Sequence, residues 1–372
     1  MTAKEKIREL LALADIKLNG SDPWDIQVHD ERFYRRALSQ GTLGMGESYV
    51  DGWWDVFQLD EFFSRLQKAG LEQKAVTLDV LWLAIKARLF NRQKRFQSTA
   101  VAREHYDIGN DLYLAMLDRN MQYTCGYWKE AENLEQAQEG KLHLICRKLH
   151  LGPGMRVLEL GGGFCGLARF MAKEYGCDVV TYNISAEQVK FGREFCNGLP
   201  VRIEEKDYRD AINEPGEFDR AAAIGLCEHI GYKNYRSFLS LVRAKLKKGG
   251  LFLLHTIGGN RSRTRTDAWI DKYIFPNAVV PSITQLSRAM ENLWVLEDWH
   301  NFGPDYDKTL LAWWKNFETR YFTLDKKRYD QRFFRMWKLY LMMSAGAFRA
   351  RRLHLWQIVL SAGGVPNYEP VR

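Results

Sequence analysis

The stretch that most constrains this chain is Arg156-Val-Leu-Glu-Leu160 running into Gly161-Gly-Gly-Phe-Cys-Gly166. A short apolar strand ends in glycines, and a helix opens at about Leu167 and runs to about Tyr175. The pattern repeats at once, with Asp178–Tyr182 predicted as strand and Ala186–Phe195 as helix. Phe218–Ile224 and Leu251–His255 read as further strands, separated by an amphipathic helix over Tyr232–Leu246. Strands and helices alternating at this length predict an α/β domain with a doubly wound, mostly parallel sheet.

Upstream the periodicity is helical. Ile7, Leu10, Leu11 and Ala14 share one face between Lys4 and Ile16, and Asp30 caps a helix carrying Phe33, Ala37 and Leu38 that Gly41 should close. A further helix is expected from about Leu78 to Phe90. At 372 residues the chain has room for two domains. We expect a mainly helical domain at 1–90, a basic linker at 91–104 and a catalytic domain at 105–372.

Gly161-x-Gly163-x-x-Gly166 matches the dinucleotide-binding fingerprint, so an NAD-dependent oxidoreductase is the first reading to weigh. Two residues count against it. Glu159 places a carboxylate at the strand end, where a pyrophosphate is repelled and an ammonium attracted. The second strand ends on Asn183 rather than on the acid that grips a ribose. A sulfonium cofactor with an aminoacyl tail suits this pair better. The order Glu159-x-Gly161-x-Gly163-x-Cys165 resembles the first motif of Rossmann-like S-adenosylmethionine methyltransferases. Cys165 stands where that motif usually has Gly, and its side chain is expected to narrow the loop.

The net charge of +8 suits an anionic partner, either nucleic acid or a membrane surface. The basic groups Arg261/Arg263/Arg265, Lys326–Arg328 and Arg349/Arg351/Arg352 suit lipid, because no nucleic-acid-binding motif accompanies them. Solvated surface charge is their bland reading. The 6 cysteines show no metal-ligand spacing, so no metal site is expected and the thiols read as reduced, as in the cytoplasm. With no apolar signal region and no membrane-spanning run, membrane contact should be peripheral. The 12 Trp, 17 Tyr and 20 Phe fill cores in most proteins; here they are also candidates for walls of a greasy, cation-stabilising pocket.

Beyond the glycine loop, ordered segments run through nearly the whole chain: Leu43–Trp54, His105–Asp111, Met121–Trp128, Ile184–Gln188, Glu228–Gly231, Leu254–Gly258, Tyr273–Pro276, Glu297–Asn301 and Ala345–Arg351. By these the chain resembles the bacterial cyclopropane-fatty-acyl-phospholipid synthase and mycolic acid cyclopropane synthase family. The resemblance implies a class I methyltransferase domain with a seven-stranded sheet, a small N-terminal helical domain for lipid contact or dimerisation, and a homodimer at the inner face of the cytoplasmic membrane. It implies transfer of a methylene group from S-adenosylmethionine to cis double bonds of membrane phospholipid acyl chains. It places the cofactor on Tyr123, Thr124, Glu159, Gly161, Gly163, Asn183, Gln188, Asp207 and Tyr208. It assigns Cys125, Glu228, His255, Ile257 and Tyr306 to a bicarbonate that acts as the base, with Ile257 serving through backbone. Alone, His255 would read as a structural histidine, Cys125 as a small buried hydrophobe and Tyr306 as a loop anchor. The same fold giving methyl-branched or methylene products, or a cofactor-dead lipid-binding protein, are the remaining alternatives.

Overall fold

The computed structural model describes residues 1–71 and 109–372. The helix expected at 78–90, the linker at 91–104 and most of the His105–Asp111 segment lie outside the described residues. The described residues form two compact units, neither continuous in sequence. One contains 1–71, 264–276 and 306–353; the other contains 109–263, 277–305 and 354–372.

The first unit is helical around the fully buried Trp54, whose ring contacts those of Phe33, Tyr49 and Phe62. Its opening helix, Ala3–Ala12, starts on a reciprocal capping box between Thr2 and Glu5 and buries Ile7 and Leu11, two of the apolar positions that predict it. The next helix spans Arg32–Val50, but Gly41 leaves helical geometry with φ 58°, so Gly41 ends one helical segment and a second follows directly. Short strands β1 (Gln27–Val28) and β2 (Trp54–Asp55) pair antiparallel. The helices Leu59–Lys68 and Gln331–Arg349 lie so close that a Cβ on Gly346 would come within 2.7 Å of Asp60 O and Ser64 N.

The second unit is built on a seven-stranded sheet: β3 (Arg156–Leu160), β4 (Asp178–Asn183), β5 (Val201–Glu205), β6 (Phe218–Ile224), β7 (Leu246–Gly258), β8 (Val295–Asn301) and β9 (His354–Ser361). The spatial order is β5-β4-β3-β6-β7-β9-β8. Only β9 runs antiparallel to its neighbours, as the expected mostly parallel sheet requires. Alternate residues of each strand feed two layers. Leu158 and Leu160 join Phe238 and Leu239 on one face, while Val157 joins Leu167 and Met171 on the other. The chain leaves β3 toward β4 on one side and returns to β6 on the other. Between β3 and β6 lies the point where strand order reverses, and ligands of open α/β sheets bind at the carboxyl ends of strands there.

Candidate active site

Every strand end around that reversal carries a residue singled out by the sequence. Glu159 is the penultimate residue of β3 and is buried. Thr181 of β4, its register partner, donates its hydroxyl to Glu159 Oε2 at 2.7 Å. Burial pushes the Glu159 carboxyl up to about 7, against the lowering effects of the Thr181 hydrogen bond and the Lys141 charge. Gly161 and Gly163 follow at φ 82° and 52°, conformations open to glycine at no steric penalty, and a Cβ on Gly163 would meet nothing within 4 Å. The loop therefore offers bare backbone to a ligand.

Cys165 also adopts a left-handed conformation, φ 61°, and heads the helix Gly166–Tyr175. Its thiol, expected to narrow the loop, lies 3.8 Å from Gly163 O on the buried side of the turn. It is fully buried in the core beside Gly192, where an added Cβ would lie 2.5 Å from Cys165 Sγ. The missing side chain at Gly192 is what makes room for the sulfur.

Asn183, at the end of β4, braces the loop from the side. Its Nδ2 donates to Gly163 O at 2.8 Å and to Gln188 Oε1 at 3.0 Å, and its Oδ1 accepts from Ser185 N–H. Asp207 follows β5 and caps the 3-10 turn Tyr208–Asn213. Its Oδ1 accepts from the Arg209 amide at 2.9 Å and its Oδ2 from the Arg209 guanidinium at 2.8 Å. Tyr208 packs edge-on against Phe238, and burial pushes its phenol up to about 12.

Glu228 sits in the short helix Cys227–Ile230, four residues past the end of β6. Its Oε1 accepts from Ile257 N–H at 2.6 Å, whereas Oε2 is buried without a hydrogen-bond partner. Burial holds this carboxyl up to about 7. The Ile257 amide thus orients a carboxylate. His255, two residues earlier on the same face of β7, is buried with Nδ1 3.4 Å from Gln357 Nε2 and with Nε2 unpartnered. Burial first, then the charges of Lys141 and Lys148, hold its pKa well below the ordinary value, so the ring is neutral. As the Gln357 amide is oriented, its NH2 faces Nδ1 and the ring proton belongs on Nε2.

The Met121–Trp128 segment is the floor beneath these strand ends. Tyr123 packs on Tyr113, and a Cβ on Gly225 would come 3.0 Å from Thr124 Cγ2, which puts Thr124 against the β6 exit. Cys125 is fully buried, with Sγ 3.2 Å from Gly126 O. Tyr306 belongs to the other compact unit, where it is buried against Phe348 with ring centroids 4.5 Å apart.

Comparison with known proteins decides what this arrangement belongs to. The model of the family described as mycolic acid cyclopropane synthetase matches residues 93–358. Over 357 residues the chain is 50% identical to the cyclopropane-fatty-acyl-phospholipid synthase of Escherichia coli (strain K12), spanning 95% of this chain and 92% of that one. The chain belongs to the mycolic acid cyclopropane synthetase family. It is an S-adenosylmethionine-dependent methyltransferase. A mycolic acid cyclopropane synthase solved with SAH and CTAB shares the fold with TM-score 0.62 at 25% identity, covering 70% of this chain and 97% of that one. A cyclopropane synthase from Mycobacterium tuberculosis gives TM-score 0.63 at 24% identity, over 72% of this chain and 98% of that one.

Within this family member Thr181, Gln357 and Lys141 are polar residues of the site that escaped the sequence reading. Lys141, on the helix Leu134–Lys148, is fully buried with its Nζ on Thr124 Oγ1 at 3.0 Å and on Gln122 Oε1. A lysine inside Glu139-Gly-Lys-Leu gives no motif and looks like helix surface.

Proposed function

We propose that this chain is a cyclopropane-fatty-acyl-phospholipid synthase: it transfers a methylene group from S-adenosylmethionine to cis double bonds in membrane phospholipid acyl chains. Bound bicarbonate takes the proton released on ring closure. The observation that carries the reading is the pair of buried polar atoms, Glu228 Oε2 and His255 Nε2, left without protein partners. Other buried side-chain atoms of the described residues also lack a protein partner, but these two stand at the exits of the neighbouring strands β6 and β7, the edge of the sheet where ligands of this architecture bind.

The chemistry of the donor set fits an oxyanion. His255 is neutral and offers an N–H through Nε2, and Glu228 keeps a proton easily because burial raises its carboxyl. Cys125, Glu228, His255, Ile257 and Tyr306 are the residues we assign to that anion. Ile257 acts by fixing the Glu228 carboxylate through its amide. An anion beside a carboxylate is tolerable only when the two share a proton, which a carboxyl near 7 allows.

For the cofactor, Gly161 and Gly163 give close backbone approach, with Asn183 and Gln188 bracing the loop. Glu159 faces the aminoacyl ammonium, Tyr123 and Thr124 line the floor, and Asp207 and Tyr208 take the adenine. When bound, S-adenosylmethionine supplies an electrophilic methyl and bicarbonate a proton acceptor. An alkene is a weak nucleophile, so the chain's task is to hold the partners in line and exclude water. No helix among the described residues is long and apolar enough to cross a membrane. We accordingly place the enzyme peripherally on the anionic inner face of the cytoplasmic membrane, as a homodimer, with the N-terminal residues contributing lipid contact or dimerisation.

The test is incubation of the purified protein with S-adenosylmethionine and vesicles of unsaturated phospholipid. Mass spectrometry should show acyl chains heavier by one methylene, and NMR should show cyclopropane ring protons. Methyl-branched product would move the reading to non-cyclising methylation. A folded protein that alters no acyl chain overturns it.

A further inference from the structure

Strand β9 reads His-Leu-Trp-Gln-Ile-Val-Leu-Ser, and every residue of it is buried. Gln357 stands inside this run, between Trp356 and Ile358. A buried amide is costly wherever one of its polar atoms stays unpaired, and a leucine or methionine would continue the apolar run. Gln357 Oε1 is such an atom, buried without a hydrogen-bond partner. The side chain makes its one hydrogen bond to the site, with Nε2 3.4 Å from His255 Nδ1. The sheet itself brings the two together. β9 pairs antiparallel with β7, and the register sets Gln357 directly opposite His255, so their side chains leave the same face as neighbours.

A neutral imidazole has one ring proton to place, and the hydrogen bond at one nitrogen decides which end carries it. An amide NH2 at Nδ1 needs a lone pair there, which leaves the proton on Nε2. Among the described residues Gln357 is the sole hydrogen-bond partner of the His255 ring, and Nε2 is the ring atom left without one. The Phe302 ring packs on the same imidazole edge-on, with centroids 6.0 Å apart, and holds neither nitrogen. Without the amide both neutral tautomers are open to His255, and the one protonated on Nδ1 turns a lone pair toward an anion. We infer that Gln357 is a positioning residue for His255: its amide holds the imidazole in the Nε2–H tautomer and fixes the ring, so that a donor and not a lone pair meets the anion. The inference rests on the bicarbonate assignment proposed above.

Two measurements on the full-length protein test it. In nitrogen-15 NMR of the histidine-labelled chain, the His255 ring, identified by its loss in His255→Asn, should show one neutral tautomer with the proton on Nε2. Gln357→Met, similar in length but unable to donate, should show both tautomers. Gln357→Glu, whose carboxylate accepts instead, should put a proton on Nδ1. The second measurement is turnover of S-adenosylmethionine on vesicles of unsaturated phospholipid, in buffer stripped of carbon dioxide and titrated with bicarbonate. Gln357→Met should raise the half-saturating bicarbonate concentration about tenfold and lower kcat at saturation at most about threefold, with S-adenosylhomocysteine affinity within about twofold of wild type. A wild-type ring protonated on Nδ1 overturns the inference. So does a Gln357→Met chain with the wild-type tautomer and the wild-type bicarbonate dependence. If Gln357→Met does not fold, the wild-type spectrum decides by itself. Wild-type turnover indifferent to bicarbonate overturns the anion assignment, a result that the tautomer spectrum keeps distinct from failure of the positioning role.

Discussion

At the scale of single residues, burying Glu228 costs stability, and its shifted pKa gives the sign of the pH dependence. Its carboxyl rises from an ordinary 4.5 to about 7 because it is buried. The folded state therefore holds a proton that the unfolded state has released across that interval, and stability falls as pH climbs from 4.5 through 7. Above that window the penalty reaches at most about 3 kcal/mol. Glu228→Gln keeps an oxygen for the Ile257 amide and removes the ionisation. Thermal unfolding should show the variant more stable than wild type at pH 8 and equal to it near pH 4, while cyclopropanation falls about a hundredfold. His255 carries the opposite sign. Its depressed pKa withdraws stability as pH falls below its ordinary 6.5, so His255→Asn should flatten the acid limb of the same curve.

At the scale of elements, the parallel half of the sheet was legible because each strand is a short apolar run closed by a turn residue, and β3, β4 and β6 lie where that pattern puts them. The antiparallel edge was not. β8 reads Val-Leu-Glu-Asp-Trp-His-Asn, with mixed polarity and exposed residues, and only its pairing to β9 makes it a strand. The glycine loop was legible, but the direction of the Cys165 side chain was not, because the hole that accepts it belongs to Gly192 on another helix. That coupling is measurable. Gly192→Ala should destabilise by about 1–3 kcal/mol through overpacking against the sulfur. Cys165→Gly in the same chain should recover at least about 1 kcal/mol of it in a double-mutant cycle of chemical unfolding. Cys165→Gly alone should leave S-adenosylhomocysteine affinity unchanged within about twofold, since the thiol is fully buried in the core and meets the loop at the Gly163 carbonyl alone, 3.8 Å away.

At the scale of the whole molecule, sequence order is a poor guide to what folds with what. The sequence predicts a helical domain at 1–90, yet the partners of residues 1–71 lie 200 to 300 positions onward, as the hydrogen bonds show. Tyr273 Oη donates to Glu47 at 2.8 Å, Arg335 Nε donates to Tyr49 O at 2.7 Å, and the Arg349 guanidinium joins Asp60 and Glu61 to Asp307. Trp269 lies over Gly46, where a Cβ would come 2.3 Å from its ring. No local period announces such contacts, since each joins an ordinary helix surface to another far along the chain. The consequence is a folding prediction. A fragment of residues 1–71 keeps the Thr2–Glu5 capping box but loses the helix Gln331–Arg349, and with it the surface packed on Asp60, Phe63 and Ser64. Isolated helices of this length are marginal in water. Circular dichroism of the fragment should show little helix and no cooperative melt. In the full chain, Gly346→Val should destabilise by roughly 2–4 kcal/mol by forcing the Asp60–Ser64 backbone away. A fragment that melts cooperatively, together with a Gly346→Val chain as stable as wild type, would show that the N-terminal residues carry their own core.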